Sequence, residues 1–370
     1  YFNVVPLEKV SYHDSHAFLN ETMLTYYLAS DVAVENYHHH IGIRDNVIRN
    51  GSAGCPVGGI LRQTSVKGLD KPCTYGPDWK SMLDRLRGAA EFIFPKGDTP
   101  VQICEGDCNS MPVMGTLALS KSRRLLPINL KNRSALQTLT LLPLNTPRHF
   151  ADIESGLGDF VPFRSKLPVA VWRGVTTGNV SCWKRGPTLN DTKYDGDLTN
   201  VGEQGCARWN LVSRWARAKS RYVDVGISKF AQSHGWPTPS DKWDTGLYKK
   251  YRKRRMPMWE MMAYRYIVSV EGNDVATNLK WAMASRSVVL MPRPRLETFF
   301  AEGLLQEYVH YIPIKDDCSD LVEQLLWCEA QKDKCRRVAE AATKYARKFR
   351  DVGTVLDWGS AVLEAHFKRL

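Results

Sequence analysis

The sequence of 370 residues lacks the marks of several large protein classes. It contains no apolar run near the roughly 18 to 20 residues that span a bilayer, and neither an initiator methionine nor a signal-like apolar segment. Because it begins at Tyr1, we expect a processed or truncated soluble piece, for which any membrane attachment would be through a missing N-terminal anchor. No internal repeat, low-complexity tract or Gly/Ser linker divides the chain.

Nucleic-acid recognition modules are also missing. No zinc finger, RNP aromatic pattern or basic zipper accompanies the net charge of +12. This charge favours anionic partners such as diphosphates, acidic glycans or lipid headgroups. Since nucleic-acid binders concentrate their positive charge on a reading module, we expect no nucleic-acid partner.

The nine cysteines lack paired CxxC units, so we expect no structural zinc site. Disulfide bonds are compatible with the sequence, and because the number of cysteines is odd, one thiol would be left over. Five acceptor sequons for N-glycosylation begin at Asn20, Asn50, Asn132, Asn179 and Asn190. Sequons and cysteines together favour an oxidising secretory lumen, in the Golgi or ER, whereas a chain from a bacterium or virus would be cytoplasmic.

Element patterns place the chain in the α/β class, with two lobes that meet near Ser165. In the first lobe, residues 1–165, Asp78 is a good N-cap for a helix. Strand candidates follow at Val101–Cys104 and Leu117–Leu119. The apolar residues of the predicted helix recur at helical spacing: Trp79, Met82, Leu83, Leu86 and Ala90.

The second lobe, residues 166–350, begins with a predicted strand at Val169–Trp172 that runs into a glycine-bounded turn, Arg173–Gly178. A helix over Arg208–Ala218 and a strand over Tyr222–Val225 are predicted next. We expect a terminal helix in residues 351–370 to pack back on the first lobe.

From Tyr266 to Phe349 the pattern alternates strand and helix three times. The predicted strands are Tyr266–Val270, Ser287–Met291 and His310–Ile314, and the predicted helices are Asp274–Arg286, Leu296–Leu305 and a broken helix over Asp320–Phe349. Such alternation predicts a parallel sheet covered by helices, whose ligands bind beyond the carboxyl ends of the strands. The stretch is therefore typical of a nucleotide-binding half-domain.

Two turns at that edge carry candidate phosphate and ribose contacts. Gly272 permits a tight turn, and Asn273 or Asp274 can cap the next helix, whose N-terminus would face a phosphate. The alternative is an ordinary βα turn, since no P-loop or GxGxxG is present. Glu297 opens the following predicted helix and could accept hydrogen bonds from a ribose diol, or it could be a first-turn carboxylate stabilised by the helix dipole.

The ordered motifs of this half resemble glycosyltransferase family 90, which includes protein O-glucosyltransferases and fungal capsule-associated xylosyltransferases. The resemblance covers about Trp172 to Phe349, and it rests on the segments Tyr264–Trp281, Ser287–Pro292, Glu297–Phe299 and His310–Asp317. It implies a GT-B fold of two Rossmann-like lobes facing a central cleft. It also implies an inverting mechanism and a UDP-sugar donor, without an obligatory metal or other cofactor.

The resemblance also implies roles for single residues. Trp172–Gly174 is similar to a strand-end motif whose arginine and following hydroxyl residues approach the donor diphosphate, and Arg208 is similar to a downstream arginine. The alternative for Arg173 is a structural pair with a carboxylate. Animal O-glucosyltransferases have an arginine where this chain has Asn278. The lysine two residues further on, Lys280, resembles the bacterial and plant-type members instead. The implied donor-binding residues are Arg173, Gly174, Thr176, Arg208, Gly272, Asn273, Asp274, Thr277, Lys280 and Glu297.

In the first lobe, Val101–Asp107 resembles the segment that carries the catalytic aspartate of the family, and Asp107 occupies the matching position. An inverting transferase needs a base that takes the proton of the acceptor hydroxyl as that oxygen attacks the anomeric carbon. The alternatives are a turn aspartate bonded to nearby N–H groups, and Glu105 as the base.

Three further motifs have plainer interpretations. Asp195–Asp197 forms a DxD triplet, which is a weak signal for a metal and is better explained by solvated loop carboxylates. The adjacent side chains of His38–His40 diverge, so they are surface or cleft histidines rather than joint metal ligands. The basic run Lys249–Arg255 is typical of a solvated face, and could also guide an anionic acceptor or contact a membrane surface.

The leading hypothesis is an inverting hexosyl- or pentosyltransferase that moves a sugar, with xylose or glucose favoured, from a UDP-sugar to a hydroxyl of a glycan or glycoprotein. A different class is a non-catalytic glycan- or polyanion-binding protein on the same fold. A retaining transferase or a hydrolase is the third hypothesis. The sequence does not distinguish sugars that differ by one substituent.

Overall fold

The computed structural model describes residues 57–62, 65–67, 79, 81–83, 85–86, 99–104, 118–125, 139–143, 152–178, 206–230 and 249–369. The chain forms two compact units. The first unit contains residues 1–150, 298–300 and 347–370, and the second contains residues 151–297 and 301–346. The predicted placement of the base in the first, acceptor-side lobe and of the donor in the second lobe stays a prediction.

The first unit contains a mixed sheet in the order β2-β1-β3-β4-β6. Its strands are β1 (Val57–Arg62), β2 (Ser65–Lys67), β3 (Thr99–Cys104), β4 (Ala118–Ser120) and β6 (Leu139–Leu141), with β5 (Ser122–Arg124) between the last two in sequence. β1 pairs antiparallel with β2 and β3, whereas β3, β4 and β6 pair in parallel. The two predicted strands of this unit are therefore confirmed as β3 and β4.

Helical residues of the first unit bury the predicted apolar face. Residues 79, 81–83 and 85–86 are helical, and Trp79, Met82, Leu83 and Leu86 are buried. Asp78, the predicted N-cap, lies outside the described residues. The long C-terminal helix, Val352–Arg369, bonds to β6 through His366 Nδ1 and Thr140 Oγ1, which are 3.0 Å apart.

The second unit is built on a five-stranded parallel sheet in the order β12-β10-β9-β7-β8. Its strands are β7 (Leu167–Val175), β8 (Val223–Lys229), β9 (Tyr264–Val268), β10 (Val288–Met291) and β12 (Ile312–Pro313), and β11 (Leu296–Thr298) lies between the last two in sequence. The predicted α/β class and the predicted parallel sheet are thus confirmed. The GT-B arrangement of two lobes stays a prediction.

Helices of the chain from residue 151 onward are α1 (Asp152–Leu157), α2 (Ala207–Trp215), α3 (Met258–Met261), α4 (Leu279–Ala284), α5 (Leu321–Ala330), α6 (Lys332–Arg347) and the C-terminal helix α7 (Val352–Arg369). Short 3-10 turns cover Phe163–Ser165, Lys249–Tyr251 and Glu302–Leu304. The predicted break within Asp320–Phe349 is confirmed, because Gln331 separates α5 from α6. Across the described ranges, no helix combines the length and the apolar character required to cross a membrane.

The sheet of the second unit is buried on both faces. Its strands contribute near-continuous apolar runs, as parallel sheets do, and α2, α5 and α6 cover them with buried apolar side chains. The fully buried strand residues include Val225, Ile227, Tyr266, Val268, Val288 and Leu290. Periodicity identified these strands correctly because a strand covered on two faces is apolar throughout.

Two predicted helices are wrong in extent or type. The helix predicted from Asp274 begins only at Leu279, because residues 272–275 bend. The helix predicted over Leu296–Leu305 is instead strand β11 followed by a 3-10 turn. Ala301 lies between them with φ of +55°, a left-handed conformation that interrupts any helix.

Cysteine pairing stabilises one corner of the second unit. Cys328 and Cys335 form a disulfide that links the end of α5 to the start of α6. Cys206 is also disulfide-bonded, whereas Cys318 is a buried free thiol. Burial raises the pKa of the Cys318 thiol far above its usual value, so this thiol is uncharged at neutral pH.

A buried ion pair holds the amino-terminal edge of the same sheet. Lys166 Nζ lies 2.6 Å from Asp159 Oδ2, and both side chains are almost fully buried. Asp159 also accepts backbone hydrogen bonds from Val161 at 3.0 Å and from Arg286 at 2.9 Å. Lys166 donates a second bond to the carbonyl of Met262. The pair therefore fixes the segment that leads into β7.

We expect Asp159→Ala to lower the free energy of unfolding by about 3–5 kcal/mol, because the substitution leaves Lys166 buried without a counter-charge. The matched control is Asp333→Ala, which removes an ion pair with Arg164 whose side chains are 61% and 74% exposed. The control should cost less than about 1 kcal/mol. Urea unfolding of both variants measures the difference, and equal losses would contradict the assignment.

Candidate functional site

The strand order predicts a ligand crevice at the carboxyl edge of the parallel sheet. β7 and β8 lie on one side of the sheet, and the chain then returns to place β9, β10 and β12 on the other side of β7. This arrangement puts the topological switch point between β7 and β9. Open α/β sheets bind ligands outside the carboxyl ends of their strands at this point. The segments that follow β7 and β9 are the two predicted donor-binding turns, so the structure brings them together.

A direct hydrogen bond joins the two turns. The backbone N–H of Gly178, after β7, donates to Oδ1 of Asn273, after β9, at 2.8 Å. Gly178 has φ of +115°, a conformation that residues with a Cβ rarely adopt. Asn273 thus performs a positioning role rather than the predicted capping role.

Gly272 allows the second turn to pack closely against its neighbours. A Cβ at this position would lie 2.5 Å from Thr177 Oγ1 and 2.7 Å from Arg208 Nη2. Both distances are shorter than real side chains tolerate, so Gly272 is required by close approach of these two groups. The predicted tight turn at Gly272 is confirmed by the bend at residues 272–275.

Arg208, in the first turn of α2, cross-links the ends of both strands. Its guanidinium donates to the carbonyl of Val175 at 3.0 Å, to the carbonyl of Glu271 at 3.2 Å, and to Thr177 Oγ1. It also lies over the ring of Trp172, 6.0 Å from the centroid. Within the described part of the chain, its Nη2 has no acceptor.

The environment lowers but does not remove the charge of this arginine. Burial lowers the pKa of Arg208 to about 10, and the negative charge of Glu271 opposes that shift. The guanidinium therefore remains positive at neutral pH. A cation in a crevice with open donors on Nη2 is suited to a diphosphate.

Arg173 forms a structural pair with a carboxylate, which was the alternative interpretation of this residue. Its Nη2 lies 2.8 Å from Asp224 Oδ2, its Nη1 donates to the Asp224 carbonyl at 2.8 Å, and Lys253 Nζ contacts the same carboxylate at 2.6 Å. Burial alone would raise the pKa of Asp224, but the bonds from Arg173 and Lys253 hold that pKa below its usual value. Contact of Arg173 with the donor stays a prediction.

Gly174 lies near the carboxyl end of β7, and Thr176 directly follows the strand. Gly174 lies under the Trp172 ring, where a Cβ would approach a ring atom to 2.2 Å. Thr176 is fully buried. Their predicted donor contacts are untested.

The structure corrects two roles predicted beyond β9. Asp274 is not the N-cap of a helix, since Asn278 precedes α4 and Asp274 Oδ1 accepts from the N–H of Val275 at 2.7 Å. Glu297 is buried within β11 and does not begin a helix. Both errors follow from the late start of α4 and from the left-handed break after β11.

Lys280 and Thr277 differ in exposure. Lys280 is buried on α4, with Nζ 3.6 Å from Glu302 Oε1 in a pair whose side chains are 3% and 1% exposed. Thr277 is exposed. Asn278 donates to the carbonyl of Val268 at 2.9 Å and accepts from the hydroxyl of Ser269 at 3.1 Å.

Glu271 is the residue at this site whose role the sequence did not reveal. One carboxylate oxygen accepts the backbone N–H groups of Arg295 at 2.9 Å and Leu296 at 3.0 Å, which joins the end of β9 to the loop after β10. Burial raises the pKa of Glu271 to about 7, although these two bonds oppose the rise. An acidic residue directly before the glycine of a strand-end turn was the available signal.

Several predicted residues lie outside the described residues. These are Asp107, the predicted base, its rival Glu105, the triplet Asp195–Asp197 and the histidines His38–His40. Their roles stay predictions.

The pKa of Glu271 predicts a pH-dependent stability. Its folded pKa of about 7 exceeds the reference value of 4.5, so the fold favours the protonated form. The resulting stabilisation is fully present below about pH 4.5 and is lost as the pH rises through about 7. We expect Glu271→Gln to flatten this decline in urea unfolding between pH 5 and 8. The exposed Glu323→Gln is the control; a wild-type slope in Glu271→Gln would contradict the assignment.

Comparison with known proteins shows similarity to glycosyltransferases. The sequence profile described as Glycosyl transferase family 90 matches residues 151–370. "O-glucosyltransferase LpsA" of Dichelobacter nodosus is 30% identical over 304 residues, which cover 81% of this chain and 74% of that protein.

An animal relative covers less of its own length. "Protein O-glucosyltransferase 2" of Danio rerio is 25% identical over 260 residues, which cover 70% of this chain but 43% of that protein. "Protein O-glucosyltransferase 3" of Rattus norvegicus is 31% identical over 97 residues, which cover 26% of this chain and 19% of that protein. The profile match extends over more than half of the chain and includes both turns of the crevice. The chain therefore belongs to glycosyltransferase family 90.

Proposed function

We propose that this glycosyltransferase moves a sugar from a UDP-sugar to a hydroxyl group of a glycan or glycoprotein acceptor, with inversion at the anomeric carbon. The observation that carries the proposal is the cross-linking of the two strand ends at the switch point, where Arg208 bonds the carbonyls of Val175 and Glu271. Family membership supports the reaction class, and the switch point of the sheet supports a nucleotide at this edge.

The donor diphosphate is proposed to lie against Arg208. Its Nη1 and Nε are held by the carbonyls of Val175 and Glu271, so the guanidinium is fixed before the donor arrives. The donors on Nη2 then neutralise the charge that grows on UDP as the glycosidic bond breaks. A positioned cation stabilises this charge without reorganising during the reaction.

The carboxyl of Glu271 helps to keep the crevice suitable for an anion. Because its pKa is about 7, a large fraction is uncharged at neutral pH and repels a diphosphate less than an ordinary glutamate would. Its bonds to the loop after β10 also hold that loop beside the crevice. The other implied donor contacts, from Arg173 to Glu297, are part of the proposal.

We propose Asp107 as the base that takes the proton of the acceptor hydroxyl, in a GT-B arrangement without an obligatory metal. The names of the relatives favour glucose as the transferred sugar, and the resemblance to capsule-associated enzymes keeps xylose as the second choice. The Cys328–Cys335 disulfide supports an oxidising compartment, such as the ER or Golgi lumen.

Substituting the base tests the reaction. We expect Asp107→Asn to lower the rate of sugar transfer by roughly 10²- to 10⁴-fold, because general-base catalysis contributes about that much. UDP binding, measured by calorimetry, should be unchanged. The assay screens UDP-glucose, UDP-xylose and UDP-galactose in the presence of EDTA, and NMR identifies the anomer of the product.

A different experimental result would overturn each part of the proposal. A retained anomeric configuration would overturn inversion, and loss of transfer in EDTA would overturn metal independence. Full activity in Asp107→Asn with a large loss in Glu105→Gln would transfer the role to Glu105. UDP binding without turnover of any donor would favour the non-catalytic binding protein.

Gly272→Ala tests the crevice itself. The added Cβ would lie 2.5 Å from Thr177 Oγ1 and would displace Arg208, so UDP binding should weaken by about tenfold or more. The matched control is Gly158→Ala, whose Cβ would have its nearest neighbours at 3.5 and 3.6 Å. Calorimetric titration with UDP compares the two variants. Wild-type affinity in Gly272→Ala would place the nucleotide elsewhere.

A further inference from the structure

A second concave surface lies at the opposite edge of the parallel sheet. A cavity of about 560 Å³ is lined by residues that precede β7 and begin β9, together with the corner between α5 and α6. This volume is within the range of small-ligand sites. β7 spans nine residues, so its two ends are roughly 25 Å apart. The cavity is therefore separate from the donor crevice, and we name it the amino-edge cavity.

The lining of the amino-edge cavity is mainly cationic. Its charged side chains are five cations and two carboxylates: Arg164, Arg265, Lys332, Lys334, Arg337, Glu329 and Asp333. Arg265 is buried at the floor, where it bonds Glu329 and the carbonyls of Phe163, Arg164 and Lys166. Its donors are thus used by the fold.

The cations of the rim divide into paired and unpaired groups. Arg164 pairs with Asp333 at 3.1 Å, and Lys332 lies 3.5 Å from Glu329. Lys334 and Arg337 are exposed on α6, and among the described residues neither has a carboxylate within ion-pair distance. Two neighbouring unpaired cations at the rim of a cavity favour a negatively charged ligand.

The corner that carries these cations is rigid. The Cys328–Cys335 disulfide, with 5.6 Å between its Cα atoms, links α5 and α6 on either side of the cavity residues Glu329 to Lys334. Tyr266 donates a 2.7 Å hydrogen bond to Glu329 and secures the floor. A preformed cavity of this kind loses little conformational entropy when it binds a ligand.

An exposed aromatic pair stands beside the same corner. Tyr308 and Trp327 are 48% and 36% exposed, and their ring centroids are 5.4 Å apart. Tyr308 has φ of +58°, a costly conformation for an aromatic residue. Trp327 precedes the cavity residue Gln331 by four residues, a rise of about 6 Å along a helix. Amphipathic aromatic rings of this kind can cover the apolar face of a sugar.

We propose that the amino-edge cavity binds a sugar that carries a negatively charged group, with Lys334 and Arg337 contacting the charge and the Tyr308–Trp327 pair contacting the ring. The ligand would be an acidic residue of a glycan, held roughly 25 Å from the donor crevice. That this acidic sugar is part of the acceptor rests on the proposed function. That the amino-edge cavity binds such a sugar does not.

Ligand-observed NMR titration of the full chain with glucose 6-phosphate tests the proposal, with UDP present in excess to fill the donor crevice. Glucose and inorganic phosphate are the comparison probes. We expect glucose 6-phosphate to bind at least about tenfold more tightly than either, because only this probe carries both the charge and the ring. Failure of glucose 6-phosphate to bind would overturn the proposal.

Matched charge variants locate the site. The double variant Lys334→Gln with Arg337→Gln should weaken glucose 6-phosphate binding by about tenfold or more. The control, Lys344→Gln with Arg217→Gln, removes the same charge from exposed positions outside the cavity, and its affinity should stay within about twofold of the wild type. Equal losses in both variants would indicate a general charge effect and overturn the assignment.

Trp327→Ala separates the sugar from the anion. It should weaken binding of glucose 6-phosphate but leave binding of inorganic phosphate unchanged, and thermal unfolding checks that the variant is folded. An equal response of both probes would make this a free-anion site. Binding of phosphatidylserine vesicles that the Lys334 and Arg337 double variant abolishes, without glucose 6-phosphate binding, would replace the glycan by a lipid surface.

Failure of this site and failure of the proposed function are distinguishable. Transfer from a UDP-sugar to a neutral acceptor should be unchanged in the Lys334 and Arg337 double variant. If no transfer occurs in any variant, the proposed function fails. The glucose 6-phosphate titration then still shows whether the amino-edge cavity binds a charged sugar.

Discussion

The guanidinium of Arg208 holds the ends of β7 and β9 together, and the arrangement of the crevice depends on it. It contacts the carbonyls of Val175 and Glu271, one on each side of the switch point. Gly272 is required because Arg208 and Thr177 occupy the space that a side chain would need. A single partly buried cation thus joins strand order and turn geometry at the edge where the diphosphate is proposed to bind.

The charged groups around the sheet have two different functions. Some are satisfied by partners within the fold, as in the pairs Lys166–Asp159, Arg173–Asp224 and Arg265–Glu329. These pairs position strands and loops, because a buried charge without a partner would be strongly destabilising. Others, such as Nη2 of Arg208 and the side chains of Lys334 and Arg337, have no such acceptor in the described part of the chain. The donors that the fold does not use mark the two proposed binding sites.

The two proposed sites lie at opposite edges of the same parallel sheet. The carboxyl edge of the parallel sheet, at the switch point, is the proposed nucleotide site. The amino edge holds a cavity whose walls are fixed by a disulfide and by a buried arginine. The proposed function needs a reactive centre and a site that holds the acceptor. Opposite edges of one rigid sheet allow the two to be separated without a further domain.

The sequence by itself determined the α/β class, the strands of the second unit, a break within Asp320–Phe349 and a tight turn at Gly272. These features depend on local spacing, because buried parallel strands are apolar throughout and a close turn excludes a side chain. Tertiary structure alone decided that Arg173 pairs with Asp224, that Lys280 pairs with Glu302 and that Asn273 holds Gly178 rather than capping a helix. Those partners are distant in sequence, and the order β12-β10-β9-β7-β8 brings them together. Burial then decides the outcome, since each buried charge must find its partner among the groups that the strand order places beside it.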